Sequence, residues 1–415
     1  MTAASDRRVR SMRTPISSKV IAVAITAGLA FGLAPAGGAA FAATAPSPAT
    51  SSSDGTALDA AISALNGALN SWREQVTRST GKVSISPWSS VIDAAKAELT
   101  SPTSQAALVQ HRDKVYSAAA ALKNAIDVHD ARAAVTKTYA AWDKAAASAK
   151  GKVTITGWAA NVAAAKKLAG SSTDTKVIAA QRDSIVKQTS GVNASVKLFT
   201  SKQSYASTLK SVEALVSKNQ GKVHMLNERQ TLAYIKDSAK TAKVAATFDY
   251  LTDSLKKTAS TVNSRVKAYD KDFAKKPAWF KDLRKRLNAV GGSHIPIETF
   301  NGTCGKAKGK TGCAWGTYDK HNGKIAFAAG AAKYDAKTKN WLVTHELAHM
   351  YQFANWTKMT KSATYKKVFK SDVERAANCM AQVRGYAYPQ KSYKPCGNKT
   401  GELFAKELWK NTVKR

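Results

Sequence analysis

Cysteine is scarce and confined to one end of this 415-residue chain: Cys304, Cys313, Cys379 and Cys396 are the full set of four. No two stand in C-x-x-C spacing, which argues against a cysteine zinc site and for bridges in an oxidising compartment. Of the three pairings, neighbour pairing is the simplest, because each neighbouring pair closes a short segment. Acidic residues are few as well, 28 Asp and Glu against 64 Lys and Arg, a formal net charge of +36. No apolar run reaches the roughly 18 residues of a membrane-spanning helix. The run from Val20 to Leu33 falls short of it, follows Arg7, Arg8, Arg10, Arg13 and Lys19, and precedes Ala40-Phe41-Ala42, a small-x-small cleavage pattern. Residues 1–42 therefore read as a signal peptide, and the mature chain as secreted, without a transmembrane anchor.

The signal peptide holds five basic residues and one acidic residue, so the remainder carries 59 against 27, a net +32. A field of this sign favours anionic surfaces and polymers. An export signal and the lack of any base-reading motif set nucleic acid aside. Anionic cell-envelope polymers are the expected partner, and cell-wall association the expected location of a monomeric protein.

One segment spells out chemistry. His345-Glu346-Leu347-Ala348-His349 places two imidazoles four residues apart, on one helical face, where they can chelate a single Zn2+. Glu346 then stands where it can take a proton from a zinc-activated water as the catalytic base. Its setting, Leu342-Val343-Thr344 before and Met350-Tyr351 after, is that of a buried helix. A catalytic zinc needs a third ligand. No histidine follows His349, and Gln352 and Asn355 stand where a metzincin continuation would have Gly and His, so a downstream ligand must be a carboxylate. Asp372 and Glu374 lie in a second helical segment, Ser371 to Arg384. Being two apart they point to opposite sides, and at most one can reach the metal.

Glu374-Arg375-Ala376-Ala377-Asn378, with the His345 to His349 segment, resembles the gluzincin pattern of zinc metallopeptidases. The resemblance covers about residues 300–415. It implies a zincin-like α+β module that hydrolyses peptide bonds of a peptide or protein substrate, with His345, His349 and Glu374 as ligands and Glu346 as base. Asn378 departs from the family, which usually has Asp there to accept a bond from the first histidine; an amide oxygen accepts the same bond without the charge. In that architecture the last strand before the active-site helix is an edge strand that receives substrate. This makes Lys324 to Ala328, the second arm of a hairpin turning at Asn322-Gly323, the expected substrate partner. His321 at the turn reads as a solvated loop residue. Tyr351, Tyr386 and Tyr388 are the candidate transition-state stabilisers.

Upstream the chain repeats itself with a period of 70. Gly81-Lys82-Val83, Gly151-Lys152-Val153 and Gly221-Lys222-Val223 recur at that step, and Trp88 and Trp158 match Glu228. Leu58, Ile62, Leu65, Leu69, Trp72 and Val76 form a helical seam that recurs in the later copies. The position of Ile62 becomes Arg132 and then Lys202, as near an exposed helix end. Ser86-Pro87 reads as an N-cap and first helical residue. No Gly or Pro interrupts the chain between Pro102 and Gly151, so the third helix of one copy should run into the next. Ser86-Pro87-Trp88 and Thr156-Gly157-Trp158 resemble the "found in various architectures" (FIVAR) modules of bacterial surface proteins, which implies spacing or binding at a cell surface. The expected organisation is a signal peptide (1–42), a linker (43–53), helical repeats at 54–123, 124–193 and 194–265, and the catalytic module at 278–415. The fold class is α+β and mainly α. The rival reading is a non-catalytic cell-envelope binding protein whose zincin domain has degenerated.

Overall fold

The computed structural model describes residues 54–316, 323–390 and 392–413, so the expected signal peptide, the linker and His321 lie outside the described residues. The chain is mainly α-helical with one small sheet. The N-terminal arm consists of α1 (Asp54–Ser79), α2 (Ser89–Thr100), α3 (Gln105–Ala149), α4 (Thr156–Ser171), α5 (Thr175–Asn219), α6 (Leu226–Thr241) and α7 (Ala245–Ala274). Helices α3, α5 and α7 begin at 105, 175 and 245, keeping the step of 70 seen in the sequence. Both α3 and α5 run 45 residues without a break and serve two successive bundles each.

Each bundle has its own core. Leu65, Leu69 and Trp72 meet Ile92, Leu108, Val115 and Leu122 in the first. Val135 and Trp142 meet Val162, Ile178 and Ile185 in the second. Tyr205 and Val212 meet Leu232, Ile235, Phe248 and Leu255 in the third. Burying one such side chain contributes about 1.5–3 kcal/mol, so the recurring seam is what holds each bundle together. Trp88 and Trp158 pack against the first and second cores.

Two local expectations need correction. Ser86 and Pro87 do not cap α2; with Trp88 they form a 3-10 turn that leads into it. Arg132 is not near the end of its own helix but mid-way along α3, and its guanidinium donates to the Ser172 carbonyl at 2.8 Å, capping the end of α4. A long basic side chain is accepted there because it finds a helix C-terminus. In the third bundle Glu228, standing where the other copies have Trp, is buried against Arg265, which also donates to the His224 carbonyl at 2.6 Å.

The C-terminal part holds α8 (Ala278–Ala289), β1 (Ile297–Thr299), β2 (Gly312–Gly316), β3 (Gly323–Phe327), α9 (Ala336–Ala354), α10 (Trp356–Lys361), α11 (Ala363–Val368), α12 (Val373–Gln382) and α13 (Lys399–Lys410). Its sheet has the order β1-β3-β2, with β1 parallel and β2 antiparallel to β3. The expectation that Lys324 to Ala328 forms an open edge is therefore overturned: β3 is the central strand, paired on both sides, and β1 and β2 are the edges. The cause is β1, whose pairing with β3 spans 28 residues of sequence separation and leaves no local signature. Helix α9 is buried continuously from Leu342 to Gln352, enclosed by α8, α12, α13 and β2. The disulfides join Cys304 to Cys313 and Cys379 to Cys396, the neighbour pairing.

The third bundle docks on this part. Arg284 of α8 is buried and donates to the carbonyls of Gly292 at 2.8 Å, Ile295 at 2.5 Å and, across the junction, Gly221 at 3.4 Å. A Cβ on Gly221 would stand 1.8 Å from the Ser293 carbonyl oxygen, so only glycine permits this approach.

Candidate metal centre

Helix α9 presents His345 and His349 one turn apart, and α12 packs across it so that Glu374 faces both. His345 Nε2 lies 3.1 Å from His349 Nε2 and 3.0 Å from Glu374 Oε2, and His349 Nε2 lies 3.5 Å from the same oxygen. Two ligands of a tetrahedral ion with bonds of ~2.0–2.1 Å are ~3.3 Å apart, so the triangle has the size that a metal ion requires. Its chemistry agrees. Three electron-pair donors converge within 4.8 Å of one another, and only a cation, whether protons or a metal ion, holds such a set together. His345, His349 and Glu374 can thus hold a metal ion.

The outer nitrogens are fixed as well. Asn378 Oδ1 accepts from Trp341 Nε1 at 2.9 Å and from His345 Nδ1 at 3.1 Å, which leaves the His345 Nε2 lone pair for the metal. His349 Nδ1 donates to Gln352 Oε1 at 2.8 Å, and the Gln352 amide donates to the Val373 carbonyl at 3.0 Å, so the orientation of Gln352 is set from α12. Asn378 also bonds to the Tyr393 hydroxyl, a contact that the acceptor-only Asp of the gluzincin pattern cannot serve as donor. Hydrogen bonds from His345 and His349 hold Glu374 well below the usual carboxylate range. Burial works against charge on His349, but the bond to Glu374, the charges of Glu346 and Glu374 and the bond to Gln352 together outweigh it, and the imidazole titrates above its ordinary value.

Glu346 is buried beside the triangle, and burial pushes its carboxyl up against the pull of His345 and His349. Strand β2 runs over it so closely that a Cβ on Gly312 would stand 2.4 Å from Glu346 Oε1; a glycine is required for strand and carboxylate to share this space. The triangle and Glu346 line an open cleft of about 500 Å³. One wall carries Gly312, Cys313 and Ala314 of β2, the other Trp341, Tyr388 and Tyr393, whose rings form an edge-to-face series at 4.8 and 5.4 Å.

Of the carboxylates that competed for the metal, Asp372 is turned away: it caps α12, accepting from the amides of Glu374 and Arg375. Of the three candidate tyrosines, Tyr388 lines the cleft, Tyr386 packs against the core, and Tyr351 is buried with its ring 4.7 Å from Trp409. Sequence reasoning missed Tyr393, Trp341 and the bracing role of Gln352. Gln352, three residues after His349, and Trp341, four residues before His345, carried a local signal in their spacing on the same helix, and Tyr393 carried none. No protein-family model, curated protein or solved structure matches the chain.

Proposed function

We propose that the C-terminal module is a zincin-like, zinc-dependent peptidase. One observation carries the reading: the His345–His349–Glu374 triangle of tetrahedral dimensions lies at the floor of an open cleft, with a buried carboxylate beside it and a strand edge along its wall. Two imidazoles and one carboxylate are a donor set suited to zinc. A bound zinc ion supplies a Lewis acid that polarises a peptide carbonyl and brings a water to ionise near neutral pH.

The chain's own residues do the rest. Glu346 takes the water's proton and delivers it to the leaving amine, a role that its burial and raised affinity for protons suit. The free edge of β2 pairs with the backbone of an extended substrate and positions it. Tyr388 and Tyr393 present hydroxyls on the opposite wall, where they donate to the carbonyl oxygen as charge develops on it. Burial keeps the Tyr393 hydroxyl protonated, against the pull of its bond to Asn378.

The same proposal places the protein outside the cell, on anionic envelope polymers, with the helical arm as a spacer. It rests on the excess of basic residues and the two disulfides. No helix among the described residues is long and apolar enough to cross a membrane.

The test is metal analysis of the purified protein together with its action on a broad peptide library. One zinc per chain and cleavage are expected. Glu346→Gln should keep the zinc and lose cleavage by about 10²-fold or more. Zinc-loaded protein that cleaves nothing would favour the rival reading, a non-catalytic envelope-binding protein. Cleavage by Glu346→Gln at the wild-type rate would refute the assigned base.

A further inference from the structure

The segment closed by the Cys304–Cys313 disulfide forms the rim of the cleft where β2 begins, and it carries Lys306, Lys308 and Lys310 and no acidic residue. Its backbone is pinned. Cys304 and Ala307 exchange hydrogen bonds at 2.8 and 3.0 Å, the Lys310 amide donates to the Gly302 carbonyl at 2.9 Å, and Ala328 donates to Thr311 at 3.0 Å. The three lysine side chains are exposed, and among the described residues none has an ion-pair partner. Lysines near the sheet and the active helix can be paired, as Lys324 is with Glu298 at 2.6 Å and Lys339 with Asp282 at 3.6 Å; the loop lysines differ from the other unpaired ones of this part in standing at the mouth of the cleft. Lys310 and Cys304 line the cleft itself. Neither carboxylate of the cleft forms an ion pair with these lysines: Glu374 faces the histidines, and Glu346, which feels the field of Lys310, is buried beside the triangle.

A rigid loop that holds unneutralised cations at the mouth of a cleft raises the local concentration of anions there. Lys310 stands two residues before Gly312, the first residue of the edge strand, so an extended chain laid along β2 passes directly under it. We propose that this disulfide-closed loop makes the site selective for acidic peptides, with Lys310, supported by Lys306 and Lys308, binding a substrate carboxylate within a few residues of the scissile bond. The inference rests on the peptidase reading. It favours a peptide over a phosphate polymer because the lysines continue the strand edge that would receive a backbone.

The experiment uses the full chain loaded with zinc and pairs of peptides identical except for Glu or Gln at one position within three residues of the cleaved bond. At one position at least, the Glu peptide should be cleaved with a kcat/KM about fivefold higher, the scale of an exposed ion pair. The gap should shrink as salt is raised to about 0.5 M. The triple substitution K306M/K308M/K310M should erase it, whereas K137M/K144M/K187M, which removes the same charge from exposed sites on the arm, should leave it intact. Equal cleavage of Glu and Gln peptides at every position, or a preference that survives the loop substitution, overturns the inference while leaving the peptidase reading in place.

If no peptide is cleaved, the peptidase reading falls, and binding of the same pairs, fluorescein-labelled and followed by anisotropy, decides the loop's role. A gap in affinity erased by the loop substitution alone supports it, and equal affinities overturn it. Displacement of the Glu peptide by a short polyphosphate in preference to poly-Glu of equal charge would assign the loop to phosphate polymers and overturn the acidic-peptide reading.

Discussion

Replacing Gln352 with Leu removes the brace between the two helices that carry His345, His349 and Glu374, the residues that can hold a metal ion. Gln352 is completely buried, and its amide joins His349 Nδ1 at 2.8 Å to the Val373 carbonyl at 3.0 Å. Leu keeps much of the volume and breaks both bonds, leaving the His349 N–H unpaired in the interior; the Val373 carbonyl, in the first turn of α12, keeps its partner within the helix. The unpaired group costs about 1–3 kcal/mol, and the apolar side chain offsets part of that. A net destabilisation of about 1–2 kcal/mol is expected for the metal-free protein. Metal affinity should suffer separately, because His349 loses the partner that sets its tautomer and ring orientation; a loss of about 10–100-fold is the usual scale for such partners. Thermal unfolding of the chelated protein measures the first effect, and zinc competition against a chelating dye near neutral pH measures the second. Gln352→Glu keeps the acceptor for His349 but loses the donor to the Val373 carbonyl, so it should hold zinc more tightly than the Leu variant. A folded Leu variant with unchanged thermal stability and zinc affinity within twofold of wild type would refute the argument.

Gly221→Ala should open the junction between the arm and the C-terminal part, since the new Cβ would stand 1.8 Å from the Ser293 carbonyl oxygen, a backbone atom that cannot step aside. The cost is about 1–3 kcal/mol, and limited proteolysis between residues 220 and 293 should quicken; unchanged rates would mean that the docking carries no weight. In metal-free protein the His349–Glu374 contact is strongest where the imidazole is charged and the carboxylate ionised. The raised His349 value makes its contribution full below about pH 6.5 and lost as pH climbs through the folded value, while the lowered Glu374 value makes that group contribute above about pH 4.5 and fade only in stronger acid. The chelated protein should therefore unfold at a lower temperature at pH 8 than at pH 6. Added zinc should raise the unfolding temperature more at pH 8, where no proton competes for His349. A zinc effect that is the same at both pH values would refute this assignment.

What the sequence determined by itself lies within single helices or short closed segments. The spacing of His345 and His349 dictated that both imidazoles share a face, because the helical period places residues four apart on one side. The same period produced the seams of the arm. The lack of breakers between Pro102 and Gly151 foretold the unbroken run of α3, whereas α5 runs as far despite Gly191, and short loops made neighbour pairing of the cysteines the simplest outcome. What only the tertiary structure decided depends on contacts between elements distant in the chain. Asp372 and Glu374 were equivalent by helical spacing until the packing of α12 on α9 made one a cap and turned the other to the histidines. Strand β3 was expected at the edge from the resemblance to zincins, but β1 pairs with its far side, and the edge strand that lines the cleft is β2. Tyr351 and Tyr386 fell to the core while Tyr393 reached the cleft, and Gln352 became a brace through a carbonyl 21 residues away. Helical phase is set by the residues of one helix alone; which helix or strand lies opposite is set by the path of the whole chain.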